Sequence, residues 1–376
     1  MKNKSSLIFF AGITAMLLIL GAALICMPQA SFSETENRYL TNFEKPSVSG
    51  FLDTSFQDKL TKGANDQFPA RDVWMKLSVE LQRAIGLSDV GGVYFGKDGC
   101  YFERVLDSQI SESRYLNQLR YLEQFCEKSN ASVTFLPVPS AGAVLADKLP
   151  KNTPLYDSDK LYGRAGQRLK QVRFLDIRPQ LQKERERSQL YFKTDHHWTM
   201  EGAYQAYAAW CQENQIAPKE LGYFKPKKQS DAFFGTLYSK APIFGAKPDK
   251  LTLPMNLPGA EVSIDEKKRD GLRIIYDWEK LYTKDKYGVY FGGNFGRVDI
   301  HTGNSNGKKL LIIKDSFANS FVPFLMPHYE TITMLDFRYF NESVLKLAQR
   351  ERFGEALVLY EMSNFAQDMN FFKLLK

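Results

Sequence analysis

The sequence predicts an α/β protein: an open parallel sheet with helices on both faces, preceded by an N-terminal transmembrane helix. Three observations predict it. The C-terminal third alternates strand-like and helix-like segments at short spacing. The middle of the chain carries buried-strand runs separated by amphipathic stretches. The chain begins with a long apolar run that carries no charge.

That run comes first in order. Lys2 and Lys4 precede LIFFAGITAMLLILGAALICM, residues 7 to 27. Twenty-one uncharged residues are long enough to cross a bilayer as a helix. Lysines lie before the run, and Glu34 and Glu36 lie after it. The positive-inside rule then places the N-terminus in the cytoplasm and everything after Met27 outside. Pro28 and Gln29 follow without a small-x-small cleavage pattern, so an uncleaved anchor is expected. Ile25 stands where a small residue would precede a lipidated Cys26. The expected organisation is an anchor over 1–27, an exported stalk and helices over 28–90, and one domain over 91–376.

SFSETENRYLTNFEKPSVSG, residues 31 to 50, is polar and reads as the stalk. Residues 51 to 87 repeat apolar residues at helical spacing in two stretches, broken near Gln67-Phe68-Pro69. Two aromatic runs flank Lys97-Asp98-Gly99 within 91–103, which is hairpin chemistry. Residues 111–129 read as a helix and 132–139 as a buried strand. A helix over about 158–171 leads to the strand VRFLDI, 172–177. Residues 200–214 form an amphipathic helix. Residues 215–300 are rich in Lys, Pro, Gly and Tyr with weak periodicity, and read as an irregular insertion with short strands. Then come a strand over 309–315, a short helix from Ser316, and a strand over 330–338. A helix over 341–353 with Asn341 as N-cap and a strand over 355–362 follow. Strands alternating with helices at this spacing argue for parallel pairing through right-handed crossovers.

Composition fits this reading and excludes others. Hydrophobic residues make up 44% of the 376, enough for one large domain plus extras, or two domains. The net charge of +7 is spread along the chain, and no nucleic-acid motif accompanies it, so no nucleic-acid partner is expected. Lys227–Lys228 and Lys267–Lys268–Arg269 read as solvated loops. Beyond the anchor only Cys100, Cys126 and Cys211 remain, too few for a disulfide framework and at no metal spacing. They read as free thiols, with one disulfide as the alternative.

Two features carry the chemistry. Ser316, in LLIIKDSFANSF, sits at a strand end and a helix start. A serine there is exposed where ligands of open α/β sheets gather, and its own N–H can stabilise an oxyanion. The same position also suits a plain N-cap. The second feature is YFKTDHHWTMEGAY, residues 191–204. A nucleophilic serine needs a base, and the base needs an orienting carboxylate. Residues i and i+2 share a side in a loop, so Asp195 can hold one nitrogen of His197 and leave the other for Ser316. His196 then points elsewhere, to a structural hydrogen bond. A zinc reading requires three or four convergent ligands, whereas adjacent histidines diverge in regular backbone. A purely structural histidine pair is the third reading.

At these residues the chain resembles the DHHW protein family, which itself resembles the alginate O-acetyltransferases AlgX and AlgJ. SETENRYL, DQFPARD, GVYFGKDGCYF, FGTLYSKA, YGVYFGGN and KDSFANSFVPFL resemble family blocks in the expected order. The resemblance implies a permuted SGNH-hydrolase-like domain. It implies Ser316 as nucleophile, with Lys314 in place of a glycine, His197 as base and Asp195 as orienter. Arg338 resembles an active-site arginine, and also suits a surface ion pair at a strand end. Gly293 and Asn294 are candidate oxyanion donors, although a hairpin turn explains the same glycines; Asn319 is a weaker candidate.

The function so implied is a membrane-anchored, extracytoplasmic O-acetyltransferase acting on an exported or cell-surface polysaccharide through a Ser-His-Asp acyl-enzyme. No metal or other cofactor is expected. Its implied partners are a membrane-bound O-acyltransferase that hands over the acetyl group, a polysaccharide acceptor, and the membrane that holds the N-terminal helix. A carbohydrate esterase with the same triad is one alternative. A non-catalytic polysaccharide-binding scaffold of an exopolysaccharide assembly is the other.

Overall fold

The apolar runs assemble into one eight-stranded sheet in a computed structural model, which describes residues 2–43, 55–268 and 275–376. In chain order the strands are β1 (Ser132–Val138), β2 (Arg173–Phe174), β3 (Ala260–Ile264), β4 (Lys267–Lys268), β5 (Arg297–Thr302), β6 (Lys309–Lys314), β7 (Thr331–Leu335) and β8 (Glu355–Glu361). Their order across the sheet is β4-β3-β5-β7-β6-β8-β1-β2. The five from β7 to β2 run parallel. The other three are antiparallel, so the sheet is mixed rather than wholly parallel.

The antiparallel strands come from the stretch read as an irregular insertion. Among its described residues no crossover helix joins them, and the strands pair as hairpins and edge additions. Asp265 and Glu266, which join β3 to β4, both have positive φ, the conformation a tight two-residue hairpin turn requires. Lys267 and Lys268 are therefore strand, not loop, and Arg269 lies outside the described residues. Lys227 and Lys228 are exposed, but on a strand, Pro226–Phe233, paired with Asp249–Pro254.

Both faces of the parallel strands are covered, which is why they read as continuous apolar runs. Side chains alternate along a strand with period two. Leu310 and Ile312 of β6 join one core, and Leu311 and Ile313 join the other. The first core takes α6 (Met200–Glu213) and α7 (Ala318–Leu325), through residues such as Ala206, Trp210 and Phe321. The second takes α4 (Glu112–Ser129), α5 (Ser158–Arg168), α8 (Val344–Glu351) and α9 (Met362–Gln367), through Leu122, Leu161, Leu347 and Phe365.

The helices start where a side-chain oxygen meets a free N–H of the first turn. Ser111, Asp157, Thr199 and Ser343 do this for α4, α5, α6 and α8. Ser343, not Asn341, is thus the cap of α8, because its Oγ reaches Lys346 N and the Asn341 side chain turns to the Tyr339 carbonyl. The strand expected over 172–177 is only two residues long. Asp176 ends it by accepting from the Arg178 N–H and guanidinium.

The chain divides into two compact units, Met1–Leu87 with Ser239–Gly245, and Ser88–Tyr238 with Ala246–Lys376. The second contains the sheet. The first contains α1 (Lys2–Cys26), α2 (Ser55–Asp66) and α3 (Arg71–Ala84), with the break at Gln67–Pro69 as expected. Residues 4–26 of α1 are apolar enough and, at about 1.5 Å per residue, long enough to cross a membrane. Of the segment read as a stalk, residues 44–50 lie outside the described residues. All four cysteines are free.

Candidate active site

The turn after β6 is built by Asp315. Its buried carboxylate accepts from the Phe317 N–H (3.0 Å), the Glu361 N–H (2.9 Å) and Asn364 Nδ2 (2.9 Å). Those bonds tie the carboxyl end of β6 to that of β8. Ser316 follows, half-buried, two residues before α7 begins. It does not cap that helix. Its N–H has no acceptor among the described residues.

Its Oγ lies 2.7 Å from His197 Nε2. His197 Nδ1 lies 2.6 Å from Asp195 Oδ1. The three side chains form one unbroken hydrogen-bonded chain, whose His197–Ser316 link joins residues 119 apart in sequence. A loop before α6 makes this possible. Asp195 Oδ1 also accepts from the His197 N–H (2.9 Å), a local turn favoured by aspartate. The loop is closed at its neck by Phe192 N to His197 O (3.2 Å) and Thr199 N to Leu190 O (2.9 Å). Asp195 Oδ2 is bound by the Thr236 N–H (2.7 Å) and hydroxyl (3.0 Å). Gly235 leaves room for that carboxylate, since a Cβ there would overlap it.

The electrostatics suit a base and its orienter. Burial opposes ionisation of Asp195, but the two histidines and the Thr236 N–H outweigh it and hold the carboxyl well below the usual range. Burial pushes the His197 imidazole down to about 4, against the pull of Asp195. His197 is therefore neutral at physiological pH. With Asp195 accepting at Nδ1–H, Nε2 carries the lone pair facing Ser316.

Two aromatic residues hold this chain in place. Trp198, fully buried, donates Nε1–H to the Phe317 carbonyl (3.0 Å) and Ser320 Oγ (2.8 Å), pinning the histidine loop onto the serine turn. Tyr287 stacks on His197, with ring centroids 3.8 Å apart and planes 11° apart. Its hydroxyl donates to the Ser316 carbonyl (3.1 Å) and lies 3.0 Å from Ser320 Oγ.

The remaining expected residues divide. His196 Nδ1 bonds Thr236 Oγ1 (2.7 Å), the structural bond anticipated, but its ring does not diverge from its neighbour; the two centroids are 3.9 Å apart. The reason is that the backbone here is a tight loop, not a strand. Donor atoms of Asp195, His196 and His197 thus lie within 4.8 Å of one another. A metal there would have to replace the bonds to Thr236 and Ser316, so the donor set fits a proton relay better than a tetrahedral ion site.

Asn294 does not stand free. Its Oδ1 accepts from Lys314 Nζ (2.7 Å) and Asn319 Nδ2 (3.1 Å), which leaves its amide N–H groups as the donor face. Gly293 is a correction: its N–H is engaged by the Tyr290 carbonyl (3.2 Å), and its φ of 133° marks the turn that requires glycine. Asn319 is held by Lys314 at 2.9 Å. Arg338 grips Asp336 through Nε (2.9 Å) and Nη2 (2.6 Å), and its side chain is 46% exposed. It is an ion pair that also leaves a positive charge near His197.

Sequence reading missed Thr236, Tyr287, Trp198 and Asp315. Thr236 and Tyr287 lie in FGTLYSKA and YGVYFGGN, blocks whose presence was legible and whose contacts were not. A crevice beside His196 and Phe317 is lined by Ser140, Tyr156, Leu237 and Glu361. Burial pushes the Glu361 carboxyl up to about 7.

Solved structures are similar to this chain. A DHHW family protein from Eubacterium siraeum is 26% identical, with 77% of this chain and 97% of that one covered and a TM-score of 0.64. Bacillus cereus PatB1, seen with a sulfonyl adduct, is 21% identical over 76% of this chain and 98% of its own, with a TM-score of 0.62. The O-acetyltransferase domain of Pseudomonas putida AlgJ is 14% identical over 74% and 93%, with a TM-score of 0.47. No curated protein matches the chain by sequence. The Asp195-His196-His197-Trp198 loop lies inside residues 89–335, which the DHHW protein model matches, and the chain therefore belongs to the DHHW protein family.

Proposed function

We propose that the chain is a membrane-anchored O-acetyltransferase whose catalytic unit faces away from the cytoplasm and acetylates a polysaccharide. The observation that carries the reading is the Asp195–His197–Ser316 chain at the carboxyl end of β6. Ser316 Oγ attacks the carbonyl of an acetyl donor as His197 Nε2 takes the Oγ proton. Asp195 holds the tautomer and stabilises the imidazolium. The oxyanion meets the Ser316 N–H, with the Asn294 amide as second donor. Collapse transfers the proton from His197 to the leaving group and leaves an acetyl ester on Ser316. A sugar hydroxyl then attacks that ester, gives its proton to His197, and departs acetylated as Ser316 is regenerated.

The donor outside the cell is a membrane-bound O-acyltransferase that passes acetyl groups outward, and α1 keeps the enzyme beside it. Arg338, exposed next to the site, contacts the acceptor or the donor. The acetyl assignment rests on the family blocks and their likeness to the alginate acetyltransferases.

Intact-mass spectrometry on the full-length chain in detergent tests the reading. An activated acetyl ester should add one acetyl group to Ser316, and a sulfonyl fluoride should block the same residue. Ser316→Ala should take up neither. Acetyl appearing on an added glycan faster than as free acetate identifies a transferase; the reverse identifies an esterase. Indifference of polymer acetylation in cells to Ser316→Ala would leave only the scaffold reading.

A further inference from the structure

Helix α3 presents an unusual surface. Val73, Trp74, Leu77, Leu81, Ala84 and Ile85 fall, at 100° per residue, on one stripe about 120° wide. A stripe of that width normally faces a core. Here every large residue on it is exposed: Val73 52%, Trp74 46%, Leu77 39%, Leu81 57% and Ile85 77%. The one buried residue of the helix, Val79, lies on the opposite side. Arg71, Lys76, Glu80 and Arg83 occupy the flanks and back. Phe244 of the same unit packs over Lys76, away from the stripe.

The position of the helix indicates what covers the stripe. Leu24, Met27 and Pro28, at the end of α1, line one cavity with Phe68, Pro69, Ala70 and Val73, at the start of α3. The helix thus begins beside the end of α1. Phe68 and Trp74 form an exposed edge-to-face pair at this point, with ring centroids 6.4 Å apart. Tryptophan and tyrosine concentrate at the membrane–water boundary because an apolar ring carries a polar N–H or O–H. A charged back and a Trp/Leu front, with low overall hydrophobicity, are the features of a helix that lies in the interface plane.

We propose that α3 lies in the outer interface of the membrane that α1 spans, with Trp74, Leu77, Leu81 and Ile85 among the lipid headgroups and upper acyl chains. The proposal rests on the anchored reading of α1. Its consequence is geometric: a helix bound along its length, beside a spanning anchor, holds its unit in one orientation rather than leaving it to swivel on a single segment.

The test uses the full chain in liposomes of phosphatidylcholine and phosphatidylglycerol, with and without bromine near the top of the acyl chains. Trp74 emission is read as the difference between the wild type and Trp74→Phe. Brominated lipid should quench that component, and Leu77→Glu with Leu81→Glu should abolish the quenching while the protein still floats with the liposomes. Flotation reads α1 and quenching reads α3, so the two failures are distinct. A chain that does not float overturns the anchor and this proposal with it. A chain that floats with Trp74 unquenched by lipid overturns this proposal alone. Shielding of Trp74 from both bromine and aqueous acrylamide would assign the stripe to a second protein surface instead.

Discussion

At the scale of single residues, the candidate site is a hydrogen-bonded chain in which Asp195, His197 and Ser316 each have a partner. Asp195 fixes the His197 tautomer, so Asp195→Asn should keep the fold and lower acylation by about 10³–10⁴-fold, measured by burst kinetics beside an unchanged circular dichroism spectrum. The imidazole must be neutral to accept the Ser316 proton. Its pKa is depressed to about 4, so activity is present above that value and lost as pH falls through it. The acid limb of the acylation profile should therefore lie below the ordinary histidine value, and a limb at or above 6.5 would contradict the burial of His197. Tyr287 adds a second constraint, since one ring face packs the imidazole while its hydroxyl holds the Ser316 carbonyl. Tyr287→Phe keeps the stack and should cost less than tenfold in kcat. Tyr287→Leu loses the stack, which favours the imidazolium by roughly 0.5–2 kcal/mol, and should lower kcat further with little change in KM.

At the scale of elements, two loops and two strand ends make the site. The 191–199 loop owes its shape to the Asp195 side chain and to the capping of α6 by Thr199, both local chemistry. Its position depends on the loop ending in Gly235-Thr236, which binds the outer oxygen of Asp195. Gly235→Ala would push a methyl group into that carboxylate. The expected result is near-complete loss of acylation with the sheet still folded, and a fully active variant would show that Asp195 can be displaced without penalty. The 215–300 stretch is thus a brace for the relay as well as an extension of the sheet. Its role was hidden because hairpin strands of two to eight residues and scattered aromatics have no strong period, and because the partners of Thr236 and Tyr287 lie far away in sequence. By contrast, Asp195 and His197 were legible together because their interaction spans two residues.

At the scale of the whole molecule, a buried carboxyl couples stability to pH. Glu361 caps α9 through the Asn364 N–H and accepts from Ser363 and Tyr156, and burial holds its pKa near 7 instead of 4.5. Between those values the folded state binds a proton that the unfolded state has lost. Stability should therefore fall as pH rises from about 4.5 to about 7. Glu361→Gln should flatten that slope in thermal melts, and an unchanged slope would assign it to other groups.

Local chemistry determined much of this protein. An uncharged apolar run, short apolar strand runs and amphipathic spacing act over a few residues, so the N-terminal apolar helix, the parallel strands, α4 to α6 and the Asp195–His197 pair were readable from the chain alone. Tertiary structure decided what depends on distant partners. It joined Ser316 to His197, engaged the Gly293 N–H at a turn, tied Asn294 to Lys314, moved the α8 cap to Ser343 and added three antiparallel strands. The physical reason is that hydrogen bonds and ring contacts act over a few ångströms of space. Only folding brings residues 119 positions apart, such as His197 and Ser316, within that reach.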